Sequence, residues 1–253
     1  MTSIKEFYDS IANDYDSMTD IEKRFVKERP YYHLMVDKYK IKKALDAGCG
    51  TGFHSLLLSK LGVSVTAIDI SNRMLAIFKK QAIHLRLNIA AHNASMLHLP
   101  PRYTLSFDAV FCLGNTLPHL SHKNDLQNVI RNFSNVLKPG GVLILQILNY
   151  QRILRQQSHF QTIKITGDTT YIRTHRYDRG RLLFEIEEIN TSHNANNHSV
   201  RRIELQPFSV QDLKKNLLRF KFEEIKIYGT ISMQSFESKK SQDLVIHARK
   251  RNQ

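Results

Sequence analysis

The chain has 253 residues, 42% of them hydrophobic, which is enough for one α/β domain with an insertion and too few for two large domains. Its formal net charge of +14 is compatible with attraction to nucleic acid or an anionic surface, although a solvated lysine-rich surface explains the same excess. Two cysteines provide no disulfide framework, no apolar run approaches the ~20 residues that cross a bilayer, and the first residues carry no export leader, so we expect a cytoplasmic protein.

The first 40 residues predict helices that lie across the main domain. Apolar and aromatic side chains recur on one face of the first helical period, at Phe7, Ile11 and Tyr15. A second helical pattern covers residues 21–39, where Pro30 is expected to kink or divide the helix. Tyr31 follows this proline. Its side chain either lines the bottom of a substrate pocket or belongs to an ordinary helix face.

The centre of the sequence is a glycine-rich turn between a predicted strand and a helix that starts near Phe53. Its glycines are Gly48, Gly50 and Gly52. Glycines let the backbone turn sharply and let a ligand approach main-chain amides, at which the helix also points the positive end of its dipole. An acid two positions before the first glycine, Asp46, together with the G-x-G-x-G spacing, distinguishes this turn from dinucleotide-binding and phosphate loops. We therefore predict a cofactor loop whose ligand is not a pyrophosphate. A glycine-rich turn without a ligand is the alternative.

The sequence Leu-Asp-Ala-Gly-Cys-Gly-Thr-Gly, residues 45–52, resembles the first motif of class I S-adenosylmethionine-dependent methyltransferases. The chain as a whole is most similar in pattern to glycine/sarcosine N-methyltransferase-like small-molecule methyltransferases. This resemblance implies a Rossmann-like α/β fold, with a mostly parallel sheet, an antiparallel last strand and helices on both faces. It also implies S-adenosylmethionine as cofactor, S-adenosylhomocysteine as product, and contacts from Asp46, the three glycines and Cys49. The amino-terminal segment of such enzymes covers the cofactor, and the tyrosine at the position of Tyr15 reaches its methionine moiety.

Two further segments are expected to hold the nucleoside part of the cofactor. Residues 63–69 read as a buried parallel strand that ends in Asp69, about 20 residues beyond the glycines, where an acid accepts hydrogen bonds from ribose hydroxyls. Capping of the next helix is the alternative role for Asp69. The resemblance places the side chains of Ile70 and Met74 against the adenine ring, and the Ser95 hydroxyl and the Met96 backbone amide within reach of it. Ser95 departs from the family, which usually has an acid there, so its contact with the adenine amino group is expected to be weaker.

A fourth strand, residues 107–112, leads into a polar turn at the edge of the sheet where ligands of open α/β sheets collect. The resemblance places the backbone of Leu113 and Gly114 against the methionine moiety, and makes Asn115 and His119 candidates for substrate contact. His119 or Tyr15 is a candidate catalytic group if the nucleophile arrives protonated. A histidine that bonds its own loop is an equally good interpretation of His119.

The second half of the chain predicts a fifth strand and then an antiparallel meander. A helix over residues 125–137 precedes a strand over residues 142–147. At the carboxyl edge of this strand, Asn149 and Tyr150 either reach a substrate or cap the loop. From about Ser158 the pattern alternates with period two, and a polar turn without metal-ligand spacing is expected at residues 190–199. Arg173 and Arg176 either contact an anionic substrate or serve solubility alone. A serine-capped helix from Ser209 and strands at residues 224–228 and 243–248 complete the sheet, and the basic end at residues 249–251 is interpreted as a solubilising tail.

Together these features predict one methyltransferase domain, residues 1–253, with four parts. These are an amino-terminal helical lid (1–40), a cofactor-binding core (41–150), an antiparallel β insertion (158–206) and a carboxyl-terminal helix and strands (207–253). The expected reaction is in-line transfer of a methyl group to nitrogen, oxygen or sulfur of a small molecule in a closed pocket, with no metal. An RNA- or protein-modifying enzyme, or a non-catalytic S-adenosylmethionine-binding module, is the alternative. Nucleic acid and membrane partners are not expected, and either a monomer or a homodimer is compatible with the sequence.

Overall fold

The computed structural model describes residues 3–156, 160–192 and 197–252. The predicted start of the insertion at Ser158 and the middle of the predicted polar turn, residues 193–196, lie outside these residues. The helices are α1 (Ile4–Ile11), α2 (Tyr15–Thr19), α3 (Ile21–Tyr39), α4 (Phe53–Lys60), α5 (Asn72–His84), α6 (Asp125–Val136), α7 (Tyr150–Gln156) and α8 (Val210–Arg219). The strands of the main sheet are β1 (Lys43–Ala47), β2 (Ser64–Asp69), β3 (Ala90–Asn93), β4 (Phe107–Cys112), β5 (Leu137–Leu148), β10 (Phe222–Tyr228) and β11 (Asp243–Lys250). The strands of a second sheet are β6 (Phe160–Thr166), β7 (Thr169–Asp178), β8 (Arg181–Asn190) and β9 (Asn197–Leu205).

The main sheet has seven strands in the order β10-β11-β5-β4-β1-β2-β3. Strands β1 to β5 pair in parallel, and β11 runs antiparallel between β5 and β10. Its central strands are buried along almost their whole length, as expected for a parallel sheet covered on both faces. The predicted Rossmann-like sheet with an antiparallel last strand is confirmed. Within the described residues, no helix is long and apolar enough to cross a membrane.

The second sheet, β6-β7-β8-β9, is antiparallel throughout and confirms the predicted meander. Its inner face belongs to the same hydrophobic cluster as α1, through Tyr171, Ile186 and Phe7. The polar turn is shorter than predicted, because Asn190 pairs with Asn197 and the strands continue to that point. Ladder hydrogen bonding therefore outweighs the turn preference of the asparagines there.

Several element boundaries differ from the sequence predictions, including the first residue of β10 and the last residue of β11. The amino-terminal pattern forms two helices, because α1 ends at Ile11 and α2 begins at Tyr15. Helix α3 continues undivided through Pro30, since the fully buried Tyr32 and Met35 beyond it pack on the core and offset the helix-breaking effect of the proline. Strand β5 begins at Leu137 rather than residue 142, with an irregular register around its first residues.

The interpretation of the basic end as a free solubilising tail is wrong. Arg249 and Lys250 belong to β11, and the Lys250 ammonium donates to the carbonyls of Ser134 (2.6 Å) and Leu137 (2.8 Å) at the end of α6. Arg249 donates to the carbonyl of Gly140 at 3.2 Å. These bonds satisfy carbonyl groups that the end of a helix and an irregular strand leave without ladder partners.

Replacement of Lys250 by alanine is expected to lower the free energy of unfolding by about 1.5–3 kcal/mol, because two hydrogen bonds to a charged group are lost. Arg251→Ala is the matched control. Its more exposed guanidinium lies 3.3 Å from the Glu223 carboxylate, and such surface ion pairs contribute less than ~1 kcal/mol. Urea unfolding followed by circular dichroism measures both values. Equal losses in the two variants would contradict the assignment.

Candidate active site

Two neighbouring cavities lie at the carboxyl edge of the parallel strands. The first, of about 150 Å³, is lined by the glycine turn, the ends of β2 and β3 and the amino-terminal helices. The second, of about 460 Å³, lies between α1 to α3, the turn after β4, the meander and the start of β11. Residues that border both cavities form a shared wall: Tyr8, Tyr15, Thr19, Arg24, His54, Leu113, Gly114 and His119.

The three glycines of the turn have positive φ angles, but they serve two different purposes. A Cβ atom on Gly48 would lie 2.3 Å from Thr116, and one on Gly52 would lie 2.0 Å from Phe78, so these positions allow close packing of the protein on itself. A Cβ on Gly50 meets nothing within 4 Å. Gly50 is therefore the glycine whose missing side chain leaves open space beside the first cavity.

Asp69 lines the first cavity at the end of β2. One carboxylate oxygen accepts from the Gly50 amide and the other from the Ser71 amide, both at 2.8 Å. The alternative role, capping of α5, belongs to Ser71, whose hydroxyl accepts from the Met74 amide at 3.1 Å. Asp69 thus ties the glycine turn to β2 and presents a carboxylate to the cavity, as a ribose-binding acid requires.

Asp46 is buried directly behind the turn, and it borders neither cavity. Its Oδ2 atom accepts from the Ser55 hydroxyl at 2.6 Å, whereas its Oδ1 atom has no hydrogen-bond partner among the described residues. Burial raises the pKa of this carboxyl to about 7. A cationic amino group is the kind of donor that this buried oxygen lacks.

The remaining predicted cofactor contacts lie around the first cavity. Its lining includes Tyr15, Cys49, Ile70, Met74, Ser95, Met96, Leu113 and Gly114. The Ser95 hydroxyl accepts from the Leu97 amide at 3.2 Å, which fixes the loop after β3. The three parts of S-adenosylmethionine each find a matching feature. The carboxylate suits the ribose, the apolar side chains beyond it suit the adenine ring, and the open backbone at Gly50 suits the polar end.

Two carboxylates of the amino-terminal helices fasten them over the first cavity. The Asp9 carboxylate accepts from the Ser71 hydroxyl at 2.6 Å. The Asp16 carboxylate accepts from the Thr51 hydroxyl in the glycine turn and from the Gln81 amide in α5, both at 2.5 Å. Neither Asp9 nor Asp16 was among the predicted site residues. The structure makes them the link between the lid and the cofactor loop.

A buried tyrosine and histidine meet in the shared wall. The Tyr8 hydroxyl and His119 Nε2 are 2.8 Å apart, and their rings pack edge to face. Burial raises the pKa of Tyr8 well above its ordinary value and, together with the nearby His175, lowers the pKa of His119 to about 3. Both groups are therefore neutral at physiological pH. Tyr8 was not among the residues predicted for the site. Its position next to Phe7 in the aromatic amino-terminal segment could have indicated it.

The second cavity contains charged side chains from three parts of the chain. Arg173 of β7 is largely buried, donates to the Thr162 hydroxyl at 3.1 Å, and has no carboxylate partner among the described residues. Arg24 lies 4.1 Å from the centre of the Phe53 ring and donates to the Glu28 carboxylate at 2.8 Å. Asp243 borders the cavity from the start of β11. Arg24, Glu28 and Asp243 were not among the predicted site residues.

The other predicted substrate contacts lie elsewhere or already have protein partners. Tyr31, Asn149, Tyr150 and Arg176 border neither cavity. Asn115 borders the second cavity, but its amide oxygen accepts from the Leu148 amide and the Tyr150 hydroxyl. Asn149 donates to the carbonyls of residues 238 and 241, and Arg176 pairs with Glu185. Asn115 and Asn149 therefore hold the chain segments beside the site, and Arg176 links β7 to β8.

Metal-ligating side chains do not cluster in the part of the chain that the structure describes. Cys49 and Cys112 are both buried free thiols, and burial raises the pKa of each. Neither is activated as a nucleophile, because the reactive form of cysteine is the thiolate.

Comparisons with known proteins agree with this geometry. A family model described as a methyltransferase domain matches residues 44–141. The chain is 26% identical to glycine/sarcosine N-methyltransferase of Aphanothece halophytica over 98% of its own length and 90% of that protein. It is 31% identical to the enzyme of the same name from Parasynechococcus marenigrum, of which it spans about half (53%). The structure superimposes on an S-adenosylmethionine-dependent methyltransferase from Clostridium acetobutylicum with a TM-score of 0.81, at 17% identity and over 96% and 99% of the two chains, which shows a common fold.

Asp69→Ala is expected to weaken binding of S-adenosylhomocysteine by about 1–3 kcal/mol, because the variant removes a charged acceptor from the cavity and from the Gly50 amide. Titration calorimetry measures the loss. Asp37→Ala, at an exposed position of α3, is the control and should bind normally. An unchanged dissociation constant for Asp69→Ala would refute the ribose-binding role.

Asp16→Ala is expected to release the lid, because both hydrogen bonds that join α2 to Thr51 and Gln81 are lost. Amide hydrogens of residues 4–19 should then exchange at least several-fold faster while exchange in β4 stays unchanged, a pattern of local rather than global opening. Hydrogen-exchange mass spectrometry provides the measurement. Equal acceleration in lid and sheet would instead indicate global destabilisation.

Proposed function

We propose that the chain is a class I S-adenosylmethionine-dependent methyltransferase that transfers the methyl group to the amine nitrogen of a small acceptor that carries an anionic group. Similarity to glycine/sarcosine N-methyltransferases over nearly the whole chain supports nitrogen as the methylated atom. The observation that carries the proposal is the shared wall between the two cavities. The first cavity has a shape and lining suited to the cofactor, and the second contains charged side chains suited to a charged acceptor.

The residues of the first cavity bind and orient the cofactor in this proposal. Asp69 accepts from the ribose, and the apolar side chains after β2 and β3 enclose adenine. Asp46, which borders neither cavity, acts electrostatically on the amino group from behind the glycine turn. Bound S-adenosylmethionine supplies a methyl group that its sulfonium has already activated for displacement. The protein therefore contributes alignment and exclusion of water, which the fastened lid provides.

The residues of the second cavity bind the acceptor. Arg173 presents a buried guanidinium whose desolvation is not offset by a protein carboxylate, so an anionic group of the acceptor is its natural partner. Its position on the meander explains how the insertion contributes specificity. Arg24 borders both cavities and is the candidate partner for the carboxylate of the cofactor.

Tyr15 and His119 are our candidates for contact with the reacting groups, since both border the two cavities. Burial raises the pKa of Tyr15 and lowers that of His119, so neither carries charge at neutral pH. We assign them to orientation of the acceptor by hydrogen bonding and ring contact. His119 is a weak choice as the base, because its Nε2 atom already meets the Tyr8 hydroxyl.

A small acceptor agrees better with the site than a macromolecule. The second cavity is bordered on one side by the amino-terminal helices and on another by the meander, and a volume of about 460 Å³ is in the range of small-molecule sites. The basic groups at the carboxyl-terminal end are engaged with α6 and β5 rather than arranged as a groove for nucleic acid. The cytoplasm is the proposed location, since two free cysteines suit a reducing compartment.

The decisive experiment measures S-adenosylhomocysteine formation with acceptors that differ only in the nucleophilic atom. Glycine, glycolate and thioglycolate share a carboxylate and offer nitrogen, oxygen and sulfur respectively. Sarcosine, larger amino acids, amino sugars and bulk RNA extend the set. We expect product only with amines, and most with those that carry an anionic group. Product with RNA, or with glycolate or thioglycolate and no amine, would overturn the proposal.

Arg173→Ala is expected to raise KM for an anionic amine acceptor about 10-fold or more, since a charged hydrogen bond contributes about 1.5–3 kcal/mol, and to change kcat less. Arg176→Ala is the matched variant on the same strand. Its guanidinium lies 3.2 Å from the Glu185 carboxylate and outside both cavities, so KM should stay the same. Steady-state kinetics with both variants tests the assignment. A larger KM effect in Arg176→Ala would reverse it.

A further inference from the structure

The second cavity contains a carboxylate that nothing in the proposed function has yet used. Asp243 is the first residue of β11, opposite Leu148 of β5, and therefore lies at the carboxyl edge of the parallel strands. It borders the cavity together with Gln146 and Gly114. Asp243 thus lies at the edge of the sheet where the two cavities meet.

Gln146 fixes the orientation of this carboxylate. The Gln146 amide nitrogen donates to Asp243 Oδ1 at 2.9 Å, and the Gln146 amide oxygen accepts from the backbone amides of Gly114 (2.7 Å) and Asn115 (3.3 Å). The Gln146 side chain therefore links Asp243 to Gly114, a residue of the shared wall. The hydrogen bond to Asp243 is made to Oδ1, so Gln146 does not engage the second carboxylate oxygen, Oδ2.

The other titratable and charged groups around the second cavity are engaged or unsuited to take a proton. They are Tyr8, Tyr15, Arg24, Glu28, His54, His119 and the two meander residues Arg173 and His175. Glu28 is paired with Arg24. His54 and His119 each meet a tyrosine hydroxyl, and burial lowers the pKa of both.

Asp243 differs from these groups. It is an anionic acceptor that borders the cavity, and the charged groups that act on it are Glu28, Arg24 and Arg152. Burial raises its pKa above the ordinary value, against the opposing effect of the Gln146 hydrogen bond. A carboxylate with a raised pKa is a better proton acceptor near neutral pH than an ordinary one.

We propose that Asp243, oriented by Gln146, binds the ammonium group of the acceptor and takes its proton, which makes Asp243 a catalytic residue and Gln146 a positioning residue. This inference rests on the proposed amine methylation, and it moves the proton-accepting role from His119 to a carboxylate on the last strand.

The proton step balances without a further reactant. An N–H bond of the ammonium breaks, its electron pair stays on nitrogen as the lone pair that methylation requires, and the proton bonds to the Asp243 carboxylate. The carboxyl group becomes neutral, and it returns the proton to water after the product leaves. The charge on the acceptor is thus removed at the position where nucleophilic nitrogen is needed.

Asp243→Asn tests the proposal with little structural change, because the amide keeps an oxygen that can accept from Gln146. At neutral pH we expect kcat/KM for the best amine acceptor to fall about 100-fold or more, the usual contribution of a general base. The loss should shrink as the pH approaches the pKa of the acceptor itself, where free amine is abundant. Asp243→Glu should restore part of the activity, and the exposed Asp37→Asn is the control. A loss that is equal at all pH values, or no loss, would overturn the proposal.

A binding measurement separates failure of this inference from failure of the proposed function. In protein with ¹³Cγ-labelled aspartate and saturating S-adenosylhomocysteine, the Asp243 resonance is identified from the Asp243→Asn spectrum. Methylammonium chloride should lower the pKa of Asp243 relative to an equal concentration of sodium chloride, because a bound cation favours the carboxylate. Equal titrations in the two salts would overturn the inference, whatever the turnover assay shows. Absence of turnover with every amine would instead count against the proposed function.

Discussion

The attachment of the amino-terminal helices to the glycine turn is the constraint on which the site depends. Asp9 and Asp16 carry it, through Ser71 on one side and through Thr51 and Gln81 on the other. Together with the burial of Phe7, Ile11 and Met18 in the main core, these bonds hold the helices over the first cavity and keep Tyr8 and Tyr15 in the shared wall. Because Arg24 follows on α3, the second cavity depends on the same attachment. The lid is therefore part of both binding sites.

Desolvation determines which groups keep their charge in this site. Two tyrosines and three histidines that border the cavities are neutral, because burial shifts every one of their pKa values away from the charged form. In the second cavity, the charges that remain are the Arg24–Glu28 pair, Arg173 and Asp243. Arg173 donates to the neutral Thr162 and Asp243 accepts from the neutral Gln146. Burial of a charge is costly, so a ligand group of the opposite charge would stabilise each of them. The cavity thus offers a cation and an anion on different strands, which matches a zwitterionic amine.

The sequence by itself determined the cofactor half of the protein. Gly48, Gly50 and Gly52 require backbone conformations that other residues adopt poorly, and Asp69 ends a strand whose neighbours run parallel to it. Such signals are local, because a strand–turn–helix unit carries its own geometry and the carboxyl ends of parallel strands meet at one edge. The meander and the helix capped by Ser209 were predictable for the same reason, since period-two alternation and capping residues act within a few positions.

Only the tertiary structure decided the acceptor half, because its partners are distant in the chain. Tyr8 meets His119 across 111 residues, and Gln146 meets Asp243 across 97. Period-two alternation places Arg173 and Arg176 on opposite faces of β7, but only the tertiary structure shows that the face of Arg173 borders the cavity while Arg176 pairs with Glu185. The prediction for the basic end was wrong for a related reason. The sequence shows that Lys250 is charged, but only the fold shows that it donates to the last carbonyls of a helix. Burial, hydrogen-bond geometry and pKa are properties of the assembled surroundings, and the sequence does not contain them until the chain has folded.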